Sequence, residues 1–237
     1  VAASERPPID ELLTELEAHA DPAKRDWWVR YLKGQARFLG VPTPTLRGVT
    51  GAWWGRHDAD GLPPDDQLEI CLALLREPVT EPKLAGMLLL GERLVPADRV
   101  DWAVAMPRFG PLFVEGHLAD WNVVDWFCVR VLGPLIERSG DGCARAVAAW
   151  IDAAVLWQRR AALVGFVTLA PSGAYAELII QTAAQLVTDP ERFAQTGVAW
   201  VLRELRTARP DLVEPFLAEH HQQMSTGARK QARGTHR

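Results

Sequence analysis

Cysteine is scarce in this chain, and its few cysteines form no pattern. Cys71, Cys128 and Cys143 are odd in number and irregularly spaced, which argues against a disulfide framework or a zinc site. No apolar run reaches the roughly 18 residues of a membrane-crossing helix, so no membrane partner is expected. Val1 to Pro8 lacks the layout of a signal peptide, which makes a reducing cytoplasm the expected location. Alternating strands bounded by hairpin turns are missing as well. Gly140 and Gly142 do not follow a strand, so neither a dinucleotide cradle nor a P-loop is expected. No His-x-x-x-His or His-Glu pair offers metal ligands, and His220-His221 falls near the C-terminus, where solvation is the default. Ser4, Ser139, Ser172 and Ser225 have no elbow context for a nucleophile. Whatever chemistry the chain performs is expected to need no metal and no cofactor.

What is there reads almost entirely as helix. The 237 residues are 48% hydrophobic, enough for one large core or for a repeat array burying a continuous seam. Ile9, Leu12, Leu13 and Leu16 have the spacing of one helical stripe. Pro44, Pro63-Pro64, Pro82, Pro96, Pro190 and Pro210 are each expected near a first turn. Thr43-Pro44 and Asp189-Pro190 look like an N-cap followed by the first helical residue. Trp121, Trp157 and Phe193 recur at intervals of 36 residues, each near the start of a helix rich in small and aliphatic residues. Arg160 and Thr196 hold matching places in the second and third units. A period in the thirties built of helix pairs is the mark of a HEAT- or armadillo-type solenoid, which offers a concave face. The expected organisation is a single domain over 1–237, with a helical array over about 9–224 and a basic C-terminal tail over 225–237.

Charge is unevenly spread. The net charge is −4, yet positions 24–56 carry Lys24, Arg25, Arg30, Lys33, Arg37, Arg47 and Arg56 against Asp26 alone. The tail adds Arg229, Lys230, Arg233 and Arg237 without an acid, while Asp58, Asp60, Asp65, Asp66, Glu69 and Glu77 gather elsewhere. A segregated basic surface suits phosphate binding, and solvated helix faces give the same pattern.

Trp121 and Asp125 stand four residues apart in a stretch that otherwise reads as apolar helix, so an indole and a carboxylate share one helical face. Such a pair can receive positive charge. An acid flanked by Val123, Val124, Trp126 and Phe127 is costly to bury alone, and an ion pair with Arg130 or Arg160 is the structural alternative. Most of the ten tryptophans must serve packing. In each adjacent pair, Trp27-Trp28 and Trp53-Trp54, at least one member is expected to point away from the main stripe.

Four segments in order carry a family resemblance. The stretch from Arg30 to Pro44 (RYLKGQARFLGVPTP) resembles the N-terminal motif of the AlkD-like DNA alkylation repair glycosylases. Trp121 to Asp125 resembles their Trp-x-x-x-Asp, Trp157 to Ala162 their Arg-Ala-Ala helix, and Ala199 to Glu204 their Gly-Trp-Val-Leu-Arg-Glu block. The resemblance implies an all-α, right-handed-type helical solenoid of HEAT-like antiparallel helix pairs, with a concave DNA-binding face. It implies Trp121, Asp125 and Trp200 as the catalytic set, Tyr31 as an aromatic near the lesion, and Arg160, or Arg159 one residue away, as a backbone contact. Lys33, Arg47, Arg203, Arg229 and Lys230 complete the expected DNA contacts. The chain departs from the family pattern at Pro42, Asp120, Asn122 and Thr196.

By the same resemblance the reaction is hydrolysis of the N-glycosidic bond of cationic N3- or N7-alkylated purines in double-stranded DNA, by a monomer, without flipping the base into a pocket. The transition state places oxocarbenium-like charge on the sugar, which a carboxylate and indole faces can stabilise. The altered surroundings of the motif narrow the expectation toward bulky minor-groove adducts, such as those of DNA-alkylating natural products, and a self-resistance role in a bacterial cytoplasm. Two other readings stay open at this stage: a catalytically silent solenoid that binds unusual DNA structures, and a protein-binding solenoid.

Overall fold

The computed structural model describes residues 7–234, so Ser4 and Arg237 lie outside the described residues. Among the described residues there are fourteen α-helices and no strand; one isolated bridge joins Arg37 to Val79. The chain divides into two compact units, Val1–Val123 and Val124–Arg237. Within each, helices pack chiefly on the next helix or the next but one, which is how a helical solenoid is built.

In the first unit the helices are α1 (Ile9–Ala18), α2 (Pro22–Tyr31), α3 (Thr43–Arg56), α4 (Pro64–Arg76), α5 (Thr80–Leu89) and α6 (Trp102–Val114). The stripe read in α1 buries Leu12 and Leu16, and Asp10 and Glu11 in its first turn suit the helix dipole. α2 starts at Asp21, whose carboxylate accepts from the Ala23 and Lys24 amides at 3.0 and 3.1 Å, with Pro22 as its first residue. It buries none of its residues. Its own pair splits as expected, with Trp27 exposed and Trp28 half-buried. The other pair does not: Trp53 and Trp54 are both fully buried, because α3 packs against both α1 and α5 and so has two inner faces.

The loop between α2 and α3 is held from below. Glu81, almost fully buried, accepts from the backbone amides of Leu39, Gly40 and Val41 at 2.9, 2.7 and 3.3 Å. Gly40 lies at φ +87, and a Cβ there would stand 2.2 Å from the Asp21 carbonyl oxygen. Only glycine fits, both in conformation and in space.

The boundary between the units falls inside α7 (Trp121–Phe127). The second unit continues with α8 (Gly133–Ser139), α9 (Asp141–Ala148), α10 (Leu156–Val164), α11 (Ala176–Leu186), α12 (Arg192–Leu205), α13 (Pro210–Glu219) and α14 (Thr226–Ala232). The repeat read from sequence lands on helix starts: Trp121 opens α7, and Trp157 and Phe193 are the second residues of α10 and α12. The Trp157 and Phe193 rings touch, 5.0 Å between centroids. Buried Ala161 and Ala162 and the absent side chain of Gly197 let α10 and α12 pack closely; a Cβ on Gly197 would meet Val164 at 3.4 Å.

Four local readings are corrected. Thr43 is the first residue of α3 rather than its cap, since Pro42 holds the cap position and Pro44 comes second. α12 begins at Arg192 rather than after Asp189, whose carboxylate instead accepts from the Glu191 amide and pairs with Arg159. Pro96 sits beyond a wide, π-type turn (Leu90–Leu94) that ends the α5 run, not at a helix start. The expected tail contains α14, capped by Ser225 and packed on α12 through buried Ala228 and Ala232.

Candidate functional site

Asp120 is the N-cap of α7. Its Oδ1 accepts from the backbone amides of Asn122 at 2.8 Å and Val123 at 3.1 Å, so the residue that departs from the family pattern is used to start the helix. Behind it lies Lys83, a mostly buried amine that donates to the carbonyls of Leu75 at 3.1 Å and His117 at 2.8 Å. Burial lowers the Lys83 pKa to about 8, while the charges of Asp120 and Glu77 pull it the other way. After Phe127 the helix widens into a second π-type turn, Cys128–Leu132, before α8. Pro134 has no N–H to return to Arg130, which accounts for the break in the α-helical register.

Asp125, 16% exposed at its side chain, is gripped by Arg160 of α10. The guanidinium donates Nε to Oδ1 at 2.8 Å and Nη2 to Oδ2 at 2.9 Å, a bidentate fork. Its remaining nitrogen, Nη1, donates to the Phe193 carbonyl and to Thr196 Oγ1. One arginine therefore ties the helix of Asp125 to the start of α12, and Thr196, another departure from the family pattern, is one of its acceptors. Gly197 makes room, since a Cβ there would stand 3.0 Å from Arg160 Nη1. Of the two partners open in the sequence, the structure selects Arg160; Arg130 lies over the Trp126 ring at 5.3 Å instead. At 4% exposure, Arg160 has its fork filled by Asp125, where the resemblance implies it, or Arg159, as a contact to the DNA backbone.

Each Asp125 oxygen accepts one bond from this fork and keeps a lone pair for another donor. The carboxylate opens into a cleft of about 260 Å³ that it lines together with Trp126, Val129, Arg130 and Trp200. Asp125 and Trp200, paired by the sequence reading, are thus brought to one cavity. The cleft offers an anion, a guanidinium and indole surface, but few groups that could read the edge of a purine. Cys128 beneath it is no nucleophile, because burial and then the Asp125 charge push its thiol well above the usual range. Among the described residues no group of three or more His, Cys, Asp or Glu side chains is placed to hold a metal ion.

Trp121 meets Tyr31 edge to face at 5.9 Å in the first unit. The remaining expected DNA contacts fall into two groups. Lys33 is exposed in the left-handed turn after α2, at φ +53, and forms no ion pair among the described residues. Arg47 instead makes a bidentate pair with Glu92, at 2.8 and 2.9 Å. Arg159 is held by the Ala153 and Ala154 carbonyls and by Asp189. Arg203 pairs with Glu204, and Arg229 donates to the His221 and Met224 carbonyls. Lys230 is exposed on α14. The sequence reading missed Trp126 and Arg130 as cleft walls, the α7 cap of Asp120, and buried Lys83. For Asp120 the signal was present, an Asp directly before an apolar helix; for Lys83 there was none.

This arrangement of helices is shared with a protein of known structure. The chain superimposes with a TM-score of 0.77 on a predicted DNA alkylation repair enzyme from Enterococcus faecalis, covering 90% of this chain and 95% of that one, at 20% sequence identity. The likeness places the chain among all-α proteins of that fold. The model of the DNA alkylation repair enzyme family matches residues 12–234, and the chain belongs to that family. No curated protein matches the chain. Its class of work is accordingly the repair of alkylated DNA. No described helix is long and apolar enough to cross a membrane.

Proposed function

We propose that the chain is a monofunctional DNA glycosylase that hydrolyses the N-glycosidic bond of cationic N3- or N7-alkylated purines in double-stranded DNA, acting as a monomer and without a metal or cofactor. The observation that carries this reading is the Asp125 carboxylate, fixed by the Arg160 fork and facing the same cleft as Trp200. An alkylated purine already bears its positive charge. When the bond from C1′ to the base nitrogen breaks, the electron pair leaves with the base, which departs neutral and needs no proton. The sugar is left oxocarbenium-like, and Asp125 stabilises that charge in a partly desolvated site. Water then adds at C1′, and its proton passes to Asp125 or to solvent. Trp200, and Trp121 one turn before Asp125 on α7, present electron-rich faces to the electron-poor sugar. With few groups to read a base edge, the cleft suits capture of the deoxyribose rather than of a flipped purine. Selectivity then comes from the lability of the bond, and bulky minor-groove adducts fall within its reach.

The same ion pair favours one second reading, a catalytically silent member that binds unusual DNA, with Asp125 serving only to hold Arg160. The two separate in one assay: release of free base from defined duplexes carrying N7-methylguanine or a bulky N3-adenine adduct. Asp125→Asn keeps the shape and one acceptor oxygen, and is expected to lower the rate at least about 100-fold, as loss of a charge-stabilising group does. Equal rates for the variant and the parent, or no release from either duplex, would rule the glycosylase out.

A further inference from the structure

Helix α2 carries more aromatic surface than its own packing uses. It buries no residue, and Trp27 and Tyr31 on it stand 50% and 54% exposed. Trp28 helps anchor the helix to the neighbouring loop, stacked on Phe38 at 5.3 Å with ring planes 12° apart. Trp27 and Tyr31, one turn apart, are stacked on each other at 5.0 Å and 11°. Tyr31 in turn meets Trp121 edge to face at 5.9 Å. Within the first unit a row of rings therefore runs from Trp121 through Tyr31 to the half-exposed ring of Trp27. Arg30 and Lys33 flank it, both exposed and neither in an ion pair among the described residues.

We propose that the stacked Trp27–Tyr31 pair is a subsite for the planar aromatic body of a bulky purine adduct, and that Trp27 gives the protein its preference for such adducts over methyl lesions. The inference rests on the glycosylase reading above. Two ring-to-ring steps, of 5.9 and 5.0 Å, separate Trp121 from Trp27, so a methyl group on a purine held beside Trp121 is too short to meet the outer ring, which can act only on a lesion that extends along the row. The two nearly parallel planes match a flat π-system, which stacks on such rings. The free cations beside the row suit a polyanion lying there, and weigh against an apolar protein surface as the occupant.

The test is binding to duplexes that cannot be cleaved, made so by a 2′-fluoro substituent on the lesion nucleotide. Three probes are compared: an unmodified duplex, one with N3-methyladenine and one with N3-(naphthylmethyl)adenine. The parent is expected to bind the naphthyl duplex more tightly than the methyl duplex. Trp27→Ala is expected to weaken binding of the naphthyl duplex about tenfold, with the other two unchanged within about twofold. Trp27→Phe, which keeps a stacking face, is expected to restore most of the loss. Equal weakening on all three duplexes would make Trp27 a general DNA contact and overturn the proposal, as would no weakening on any, or a parent without preference. Failure to release base from the corresponding cleavable duplexes would count against the glycosylase reading alone, since the binding preference is measured without the reaction.

Discussion

Two buried cationic side chains define the neighbourhood of α7, and they do opposite things. Arg160 has every nitrogen engaged, two of them on Asp125, so its charge is compensated and its geometry fixed. A planar fork suits that task better than an ammonium could. Lys83 is paired with carbonyls rather than with a tightly bound carboxylate, and it pays for burial by holding its proton loosely, with a pKa of about 8. The unfolded chain returns that amine to the ordinary lysine value of 10.5. Between these two values the unfolded state keeps a proton that the folded state has released, so stability contributed by this group rises with pH across that window and is lowest below about pH 8. Urea unfolding should show the parent gaining about 2 kcal/mol between pH 7.5 and pH 10 relative to Lys83→Met, in which the group cannot titrate. Parallel pH profiles for the two proteins would mean that Lys83 keeps its proton throughout. The loosened proton also concerns the site, because the His117 carbonyl it holds lies three residues before the Asp120 cap of α7.

At the scale of elements, some of the structure was legible because a single residue type set it. The starts of α7, α10 and α12 follow the recurring ring at Trp121, Trp157 and Phe193, since a bulky first-turn aromatic must find a neighbour, as Trp157 and Phe193 do. The readings that failed depended on partners far away in sequence. Asp189 has an N-cap's side chain but spends an oxygen on Arg159, and the helix starts later. α14 has only small residues on its inner face, Ala228 and Ala232, which look like no stripe until α12 is beside them. Asp125 and Trp200, which line one cleft, were legible as candidate site residues, yet the choice of Arg160 over Arg130 as the partner of Asp125 is a matter of which helix is adjacent. The loop before α3 shows how strict such tertiary demands are. Gly40→Ala adds a Cβ against the Asp21 carbonyl in a left-handed conformation. It is expected to cost more than about 2 kcal/mol, well above the usual penalty for leaving glycine, because backbone rather than a side chain must move. Urea unfolding checks it, and a change under about 0.5 kcal/mol would show that α2 shifts freely.

For the whole molecule, net charge misleads about DNA and so does the raw count of basic residues. Of the seven basic residues over positions 24–56, Lys24, Arg25, Arg47 and Arg56 are paired with Asp21, Asp26, Glu92 and Glu15. Arg30, Lys33 and Arg37 form no ion pair among the described residues. On the proposed reading, this stretch offers phosphates a few unpaired cations and not a broad basic surface. Each phosphate contact releases condensed counterion and steepens the fall of log affinity with log salt by about 0.9. Lys33→Ala should flatten that slope by about 1 and weaken binding to lesion-bearing and unmodified duplexes alike. Arg47→Ala should leave the slope nearly unchanged, because the arginine it removes is already neutralised by Glu92, whose charge adds at most mild repulsion once this pair is lost. Titrations of binding against salt for the parent and the two variants separate these outcomes. Equal flattening by both substitutions would mean that DNA breaks the Arg47–Glu92 pair on binding, and that the paired arginines are a reserve of phosphate contacts rather than structural ties.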